Sequence, residues 1–296
     1  MNDRRTLLPY AYIAPALVLM SLLSLLPNLY SVYLAFTNFS LYHYSDFRFV
    51  GLRNFVTILT GDEVREFARV LSWTLIWAGG SVILSLGLGL FLAMGLNKPE
   101  VRFRNLYRTL FIVPWAIPAF ISVLMWQGLL NSNEGALNVL LGLNIRWLDD
   151  PFWARISVLV VNVWLGFPFM MTVCLGALQS IPRELYESAS VDGAPAPRQF
   201  FQITLPMLRS ALLPVLISSF AFNFNQFTAI YLLTNGGPAV PGSTAGATDI
   251  LITYSYKLAF GLFQYGMACA YAIIIFLIVA GLSAVNFRLT GAFEDA

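Results

Sequence analysis

Four residues in the fifth of six long apolar stretches have side chains suited to holding a ligand. Ser219, Phe222, Asn223 and Gln226 stand at i, i+3, i+4 and i+7, the spacing that lines side chains along one helix face. Together they offer a hydroxyl, an aromatic ring and two amides. Such a set suits a sugar, whose hydroxyls pair with amides while its C–H face packs on a ring inside an otherwise apolar cavity. Gly166 and Phe169, in the preceding stretch, would complete the pocket, and Asn225 points off this face. The same groups equally suit plain hydrogen bonding between helices, worth about 0.6 kcal/mol each on average in membranes. The residues alone leave both uses open.

Other chemistry is scarce. Proton relays and ion pathways need charged residues at membrane depth, and the apolar stretches carry none beyond their ends. A site for sodium made of carbonyls at broken helices is still compatible with that. No Gly-x-x-x-x-Gly-Lys-Ser/Thr loop occurs, so no ATP site is expected on this chain, and uphill transport would draw its energy from another subunit. The single His43 sits alone in a polar connector. Cys174 and Cys269 fall inside apolar stretches and read as small buried hydrophobes. Neither a metal site, a disulfide framework nor a catalytic constellation is therefore expected. An enzyme acting on lipid or polyprenyl substrates would need His, Asp or Glu grouped at membrane depth. The net charge of +2 gives no reason to expect nucleic acid.

The elements that must position these residues are helices in lipid. Of 296 residues 58% are hydrophobic and 11% charged, against about 25% charged in a soluble domain, and the mean hydropathy is +0.72. A hydrocarbon core needs roughly 20 apolar residues per helix. The stretches that meet this run over 10–36, 70–96, 109–130, 155–178, 211–233 and 265–287. The pattern predicts an all-α membrane protein of about six transmembrane helices forming one transmembrane domain over residues 1–296. The basic start followed by an apolar run with no small-residue cleavage site predicts a first helix that stays in place. Gly166 and Pro168 mark an expected kink. Residues 51–56 read as a short helix, either at the membrane interface or capping the bundle. Arg4, Arg5, Lys98, Arg102, Arg104, Arg108, Arg183, Arg198, Arg209 and Arg288 share one side, which the positive-inside rule makes cytoplasmic; both termini would then lie inside. Arg48, Arg53, Arg65, Arg69, Arg146 and Lys257 fall on the other.

The loop over 180–206 carries the sharpest pattern. Ser180 suits a cap, Pro182 an early helical position, and Gly193 a left-handed helix end. A second short helix is expected over 196–203, stopped by Pro206. Small Ser188 and Ala189 allow close approach by another protein, and Leu185 with Ala189 makes an apolar stripe. This shape suits a groove on a partner; helices lying on the membrane surface and binding nothing fit it as well.

Glu187-Ser188-Ala189, three residues, Gly193, nine residues and Ile203-x-Leu205-Pro206 resembles the EAA loop of binding-protein-dependent ABC importers, with Ser188 replacing the first Ala. The resemblance implies the type I ABC importer permease fold, with Glu187, Ser188, Ala189 and Gly193 in a cytoplasmic coupling helix that enters an ATPase subunit. Trp164-Leu-Gly-Phe-Pro-Phe-Met-Met171, Ser219-Phe-Ala-Phe-Asn-Phe-Asn-Gln-Phe227 and Leu232-Leu-Thr-Asn-Gly-Gly-Pro238 look like permeases of the maltose/maltodextrin type, closely over the last half of the chain and by layout over the first. That likeness implies a substrate site at Leu165, Gly166, Phe169, Ser219, Phe222, Asn223 and Gln226, Leu165 being an apolar neighbour. The family's Tyr is Phe169 here and its last Asn is Gln226.

The resemblance further implies an inner-membrane complex with a second permease, two ATPase subunits that use the ATP, an extracytoplasmic sugar-binding protein and an oligosaccharide substrate. Enterobacterial members carry extra N-terminal helices and a large periplasmic domain, for which this chain has no room, so binding-protein contacts would fall to short outer loops such as 235–263. A self-sufficient secondary carrier is the alternative.

Overall fold

The computed structural model describes residues 3–290; residues 1–2 and 291–296 lie outside the described residues, as do the side chains of Arg4 and Arg5. In chain order the helices are α1 (Asp3–Met20), α2 (Leu26–Ala35), α3 (Arg53–Leu59), α4 (Val64–Leu96), α5 (Arg104–Ala116), α6 (Ala119–Leu129), α7 (Ala136–Leu141), α8 (Pro151–Gln179), α9 (Arg183–Val191), α10 (Ala196–Gln199), α11 (Leu205–Phe224), α12 (Phe227–Thr234), α13 (Leu251–Phe260) and α14 (Tyr265–Thr290). Among the described residues there is no strand, only two isolated bridges, Thr37 with Phe49 and Ala239 with Gly246.

Among the described residues five helical stretches are long and apolar enough to cross a membrane: Tyr12–Ala35, Val64–Leu96, Pro151–Gln179, Ala196–Phe224 and Tyr265–Asn286. The stretch read as one helix over 109–130 is instead a pair, α5 and α6, bent by 90°. Its cause is Pro118: the residue before a proline is pushed out of the helical region, and Ile117 adopts ψ 133. The stretch read over 211–233 differs in both directions. It begins a loop earlier, because a π turn over Phe200–Thr204 joins α10 to α11 without a stop. Leu205 donates to Phe200 O across that wide turn, and Pro206, at the start of the next helix, has no N–H to satisfy. It also ends sooner, at Phe224, before a break at Asn225 and Gln226.

The chain forms two compact units, one of residues up to 65 with 255–276, the other of 66–254 with residues from 277. In the first, Thr37 and Asn54 organise the turn after α2. Asn54 Nδ2 donates to Ala35 O and Thr37 O, each at 2.8 Å, and Ile58, one turn along α3, is fully buried. The residues of 51–56 thus sit at the start of a helix anchored through one face. Along α1 and α2 most side chains from Tyr10 to Tyr33 are exposed, for lipid or another chain, and burial begins at Leu34 and Ala35.

In the second unit α5, α6, α11 and α12 all pack on α8. Glycine sets how close α4 comes to it: a Cβ on Gly89 would stand 2.6 Å from Met171 N and 2.8 Å from Met170 Cβ. Below this crossing Ala93, Leu96, Met171, Cys174, Leu178 and Leu212 form a buried apolar cluster. The 236–250 loop is folded into the same unit. Arg155 donates from Nε to Ala247 O at 2.9 Å while lying over the Trp73 ring, and Trp73 Nε1 donates to Thr248 O. Residues 245–250 are buried, leaving the tip near Pro241 and Gly242 exposed.

Gly87 and Gly89 test the crossing, since nothing lies within 4 Å of a Cβ on Gly87. Gly89→Ala should lower the stability of the purified protein by about 1–3 kcal/mol through overpacking, whereas Gly87→Ala should leave it unchanged or raise it by up to about 1 kcal/mol. Thermal unfolding in detergent distinguishes the two.

Candidate functional site

The second unit encloses a cavity of about 880 Å³, near the top of the roughly 300–1,000 Å³ usual for small-molecule sites. The two helix breaks both open onto it. From the α5/α6 bend come Pro114 to Ala119, from α8 Asn162, Leu165, Gly166, Phe169 and Met170, from α11 Ser218, Ser219, Phe222 and Asn223, then Gln226, and from α4 Ser81, Val82 and Ser85. All seven residues expected to line a pocket are brought together here: Leu165, Gly166, Phe169, Ser219, Phe222, Asn223 and Gln226. No Asp, Glu, Lys, Arg or His is among the lining residues.

Geometry separates roles that spacing alone ran together. Asn223 is tied up within the protein. Its Oδ1 accepts from Asn162 Nδ2 at 2.7 Å, its Nδ2 donates to Ser219 O at 2.8 Å, and its carbonyl accepts from Trp77 Nε1 at 3.0 Å and from Gln226 N at 3.1 Å. Asn223 therefore holds the end of α11 against α4 and α8. Gln226 does not continue the helical face; it is the residue before α12, with ψ 84, and reaches the cavity because the backbone has turned. Among the described residues no protein group hydrogen-bonds to the Gln226 side-chain amide or the Ser219 hydroxyl, so both are free to meet a ligand. Phe222 is 67% exposed, and Phe169 stands 6.2 Å from Trp115 at 47°, giving aromatic surface on two walls.

Asn162, which the sequence reading passed over, was legible from its spacing to residues already singled out. Asn162, Leu165, Gly166 and Phe169 stand at i, i+3, i+4 and i+7, the same pattern that singled out Ser219. Trp77, Ser81 and Ser85 occupy successive turns of one α4 face. Trp115 has no such signal, because its place depends on the bend at Pro118.

The loop after α8 forms a separate surface. Ser180 does not cap α9; its hydroxyl donates back to Ala177 O at 2.8 Å, closing α8, and Pro182 precedes α9. Glu187 and Ser188 are exposed, Ala189 half-buried, and Gly193 exposed with φ +74. Tyr186 Oη to Thr204 Oγ1 at 2.9 Å and Gln199 Nε2 to Ser190 Oγ at 3.1 Å fix α9 to the segment that follows, while Leu185 and Val191 stay exposed.

Membrane-length helices around an uncharged cavity, with two of them broken at its wall, have the architecture of a transport permease. A family model described as "binding-protein-dependent transport system inner membrane component" matches residues 85–294. The galactooligosaccharides transport system permease protein GanP of Bacillus subtilis (strain 168) is 40% identical, over 97% of this chain and 71% of its own. The maltose/maltodextrin transport system permease protein MalF of Vibrio parahaemolyticus is 43% identical over 83% of this chain, which spans about half (49%) of that relative. Among solved structures, a bacterial ABC transporter involved in import of the acidic polysaccharide alginate matches with TM-score 0.74 and 25% identity over 97% of both chains. The chain belongs to the binding-protein-dependent transport system inner membrane component family, as a multi-pass ABC importer permease subunit.

The Asn162–Asn223 pair predicts non-additive mutations. Asn162→Ala and Asn223→Ala should each destabilise by about 1–2 kcal/mol, since one amide is left without its partner, and the double variant should cost about as much as either alone. Summed losses in thermal unfolding would show that the amides do not interact.

Proposed function

We propose that this permease carries a neutral oligosaccharide of the maltose, maltodextrin or galactooligosaccharide kind, through half of a pathway completed by a second permease. The observation that carries the reading is the cavity wall: free hydroxyl and amide groups beside exposed aromatic rings, with no charge among the lining residues. Such a wall suits a polar, uncharged ligand with apolar C–H faces. The relatives named for galactooligosaccharides and maltodextrins support it.

In this reading two ATPase subunits use ATP, an extracytoplasmic binding protein delivers the sugar, and both termini lie in the cytoplasm. A solved relative of the same fold was crystallised with an alginate pentasaccharide-bound periplasmic protein, which favours such a partner. The exposed tip of the 236–250 loop is its suggested contact. The α9 surface, with Glu187, Ser188, Ala189 and Gly193, would enter the ATPase. Closure of the ATPases would shift α9 and, through Tyr186–Thr204 and the continuous α10–α11 segment, move the wall that carries Ser219 and Phe222. A self-sufficient carrier has no use for such a surface.

Vesicles holding the chain with its neighbouring permease, ATPase and binding protein test this. ATP-dependent uptake of labelled maltose, maltotriose or galactobiose is expected, and Gln226→Ala should raise KM about five- to tenfold, as for one lost ligand hydrogen bond. Gly193→Val forces a β-branched residue into a left-handed backbone, so it should keep ATP hydrolysis while uptake falls at least about tenfold. Wild-type uptake in the Gly193 variant, or sugar movement by the chain alone, would contradict the reading.

A further inference from the structure

Hydroxyl groups inside an apolar bundle usually close on the carbonyl one turn back. Thr74 does so on Val70 O at 2.7 Å, Thr172 on Pro168 O at 2.8 Å and Thr234 on Ile230 O at 3.0 Å. Ser81 does not. Its Oγ is buried and has no hydrogen-bond partner, although the residue is only 1% exposed and lies on the cavity wall. Leaving such a group unsatisfied costs about as much as a lost hydrogen bond, so an unpaired buried hydroxyl calls for a physical reason. One turn on, Ser85 lines the same wall, 5% exposed. The facing residue is Gly166, on which a Cβ would stand 3.0 Å from Ser85 Oγ; its missing side chain leaves the Ser85 hydroxyl room at the cavity edge.

We infer that Ser81 and Ser85 form a second hydrogen-bonding wall of the substrate site, on α4, which takes a hydroxyl group of a pyranose ring. This rests on the sugar reading of the cavity. A serine hydroxyl both donates and accepts, and so does a sugar hydroxyl, so the pair matches without any change of protonation. A cation finds no carboxylate here, and an anion finds no guanidinium or ammonium among the lining residues. Ser81 Oγ has almost no open surface in this structure, so it reaches the ring by rotating about its single side-chain torsion, and an apolar ligand would leave it unsatisfied. The α4 wall is distinct from the free groups of Ser219 and Gln226, so one ring can be held from two sides while Trp115 and Phe169 meet its C–H face. On this account α4 contributes selectivity for the hydroxyl pattern of the ring.

The test uses the assembled transporter in vesicles with whichever of maltose, maltotriose and galactobiose the wild type takes up fastest, together with analogues of that sugar lacking one hydroxyl at a time. Ser81→Ala, Ser85→Ala and Gln226→Ala are compared for KM and for the unfolding temperature of the complex. The expected result is a KM raised about five- to tenfold by Ser81→Ala, an unfolding temperature no lower than wild type, and no further loss when the variant meets one particular deoxy sugar. KM unchanged in both serine variants while Gln226→Ala raises it would overturn the α4 wall and leave Ser81 to packing or a bound water. KM unchanged in all three, or no uptake of any of the sugars by the wild type, would overturn the sugar reading and this inference with it.

Discussion

The interaction on which the rest of the site depends is the set of hydrogen bonds converging on Asn223. Inside an apolar bundle a broken helix exposes backbone groups that lipid cannot satisfy. α11 stops at Phe224, and Asn223 sits where that stop must be secured. Trp77 Nε1 from α4 and Gln226 N from across the break share its carbonyl, while Asn162 from α8 holds its side chain. Three helices are thereby fixed around one peptide. The break can persist, Gln226 can turn into the cavity, and Ser219 keeps a free hydroxyl because Asn223 takes only its carbonyl. Asn223, which also lines the cavity, is thus the fastening that leaves its neighbours available.

Around that fastening the bundle is arranged by small residues and proline. Gly89 lets α4 cross α8 at backbone distance, since helices in lipid associate through close packing where no hydrophobic drive separates them from the tails. Pro118 turns α5 away from α6 by 90° and brings Trp115 to the wall. The outcome is a cavity of about 880 Å³ whose polar groups are few and neutral. Selectivity there depends on matching hydroxyls and rings, because no ion pair is available to dominate binding. The α9 surface follows a different logic. It is exposed, its Gly193 takes a left-handed backbone, and its contacts run back to the start of α11, so displacement of α9 has a direct covalent route to the cavity wall.

Much of this was legible in the residues. Hydropathy located the apolar stretches, and the i, i+3, i+4, i+7 spacing collected Ser219, Phe222 and Asn223 on one face, with Gly166 and Phe169 opposite. Spacing could not show that α11 ends before Gln226, because a run as apolar as 211–233 gives no local sign of a break that tertiary hydrogen bonds sustain. For the same reason spacing left open whether Asn223 meets a ligand or another helix: its partner Asn162 lies 61 residues away. Pro206 looked like a stop, and would be one in a helix of regular pitch; the π turn before it supplies the missing slack. Ser81 and Ser85 were hidden by their ordinariness, since a serine in an apolar helix normally bonds to its own backbone, and only the structure shows Ser81 unpartnered.

The central claim is that this cavity is where the substrate sits, and accessibility of Ser219 tests it most directly. With Cys174 and Cys269 replaced by alanine and Ser219→Cys introduced, the assembled transporter is treated with a maleimide during ATP turnover, with and without the transported sugar. The account predicts that saturating sugar slows labelling at position 219 several-fold. Labelling at the same rate with and without sugar, in vesicles that still take the sugar up, would place the substrate path elsewhere in the molecule.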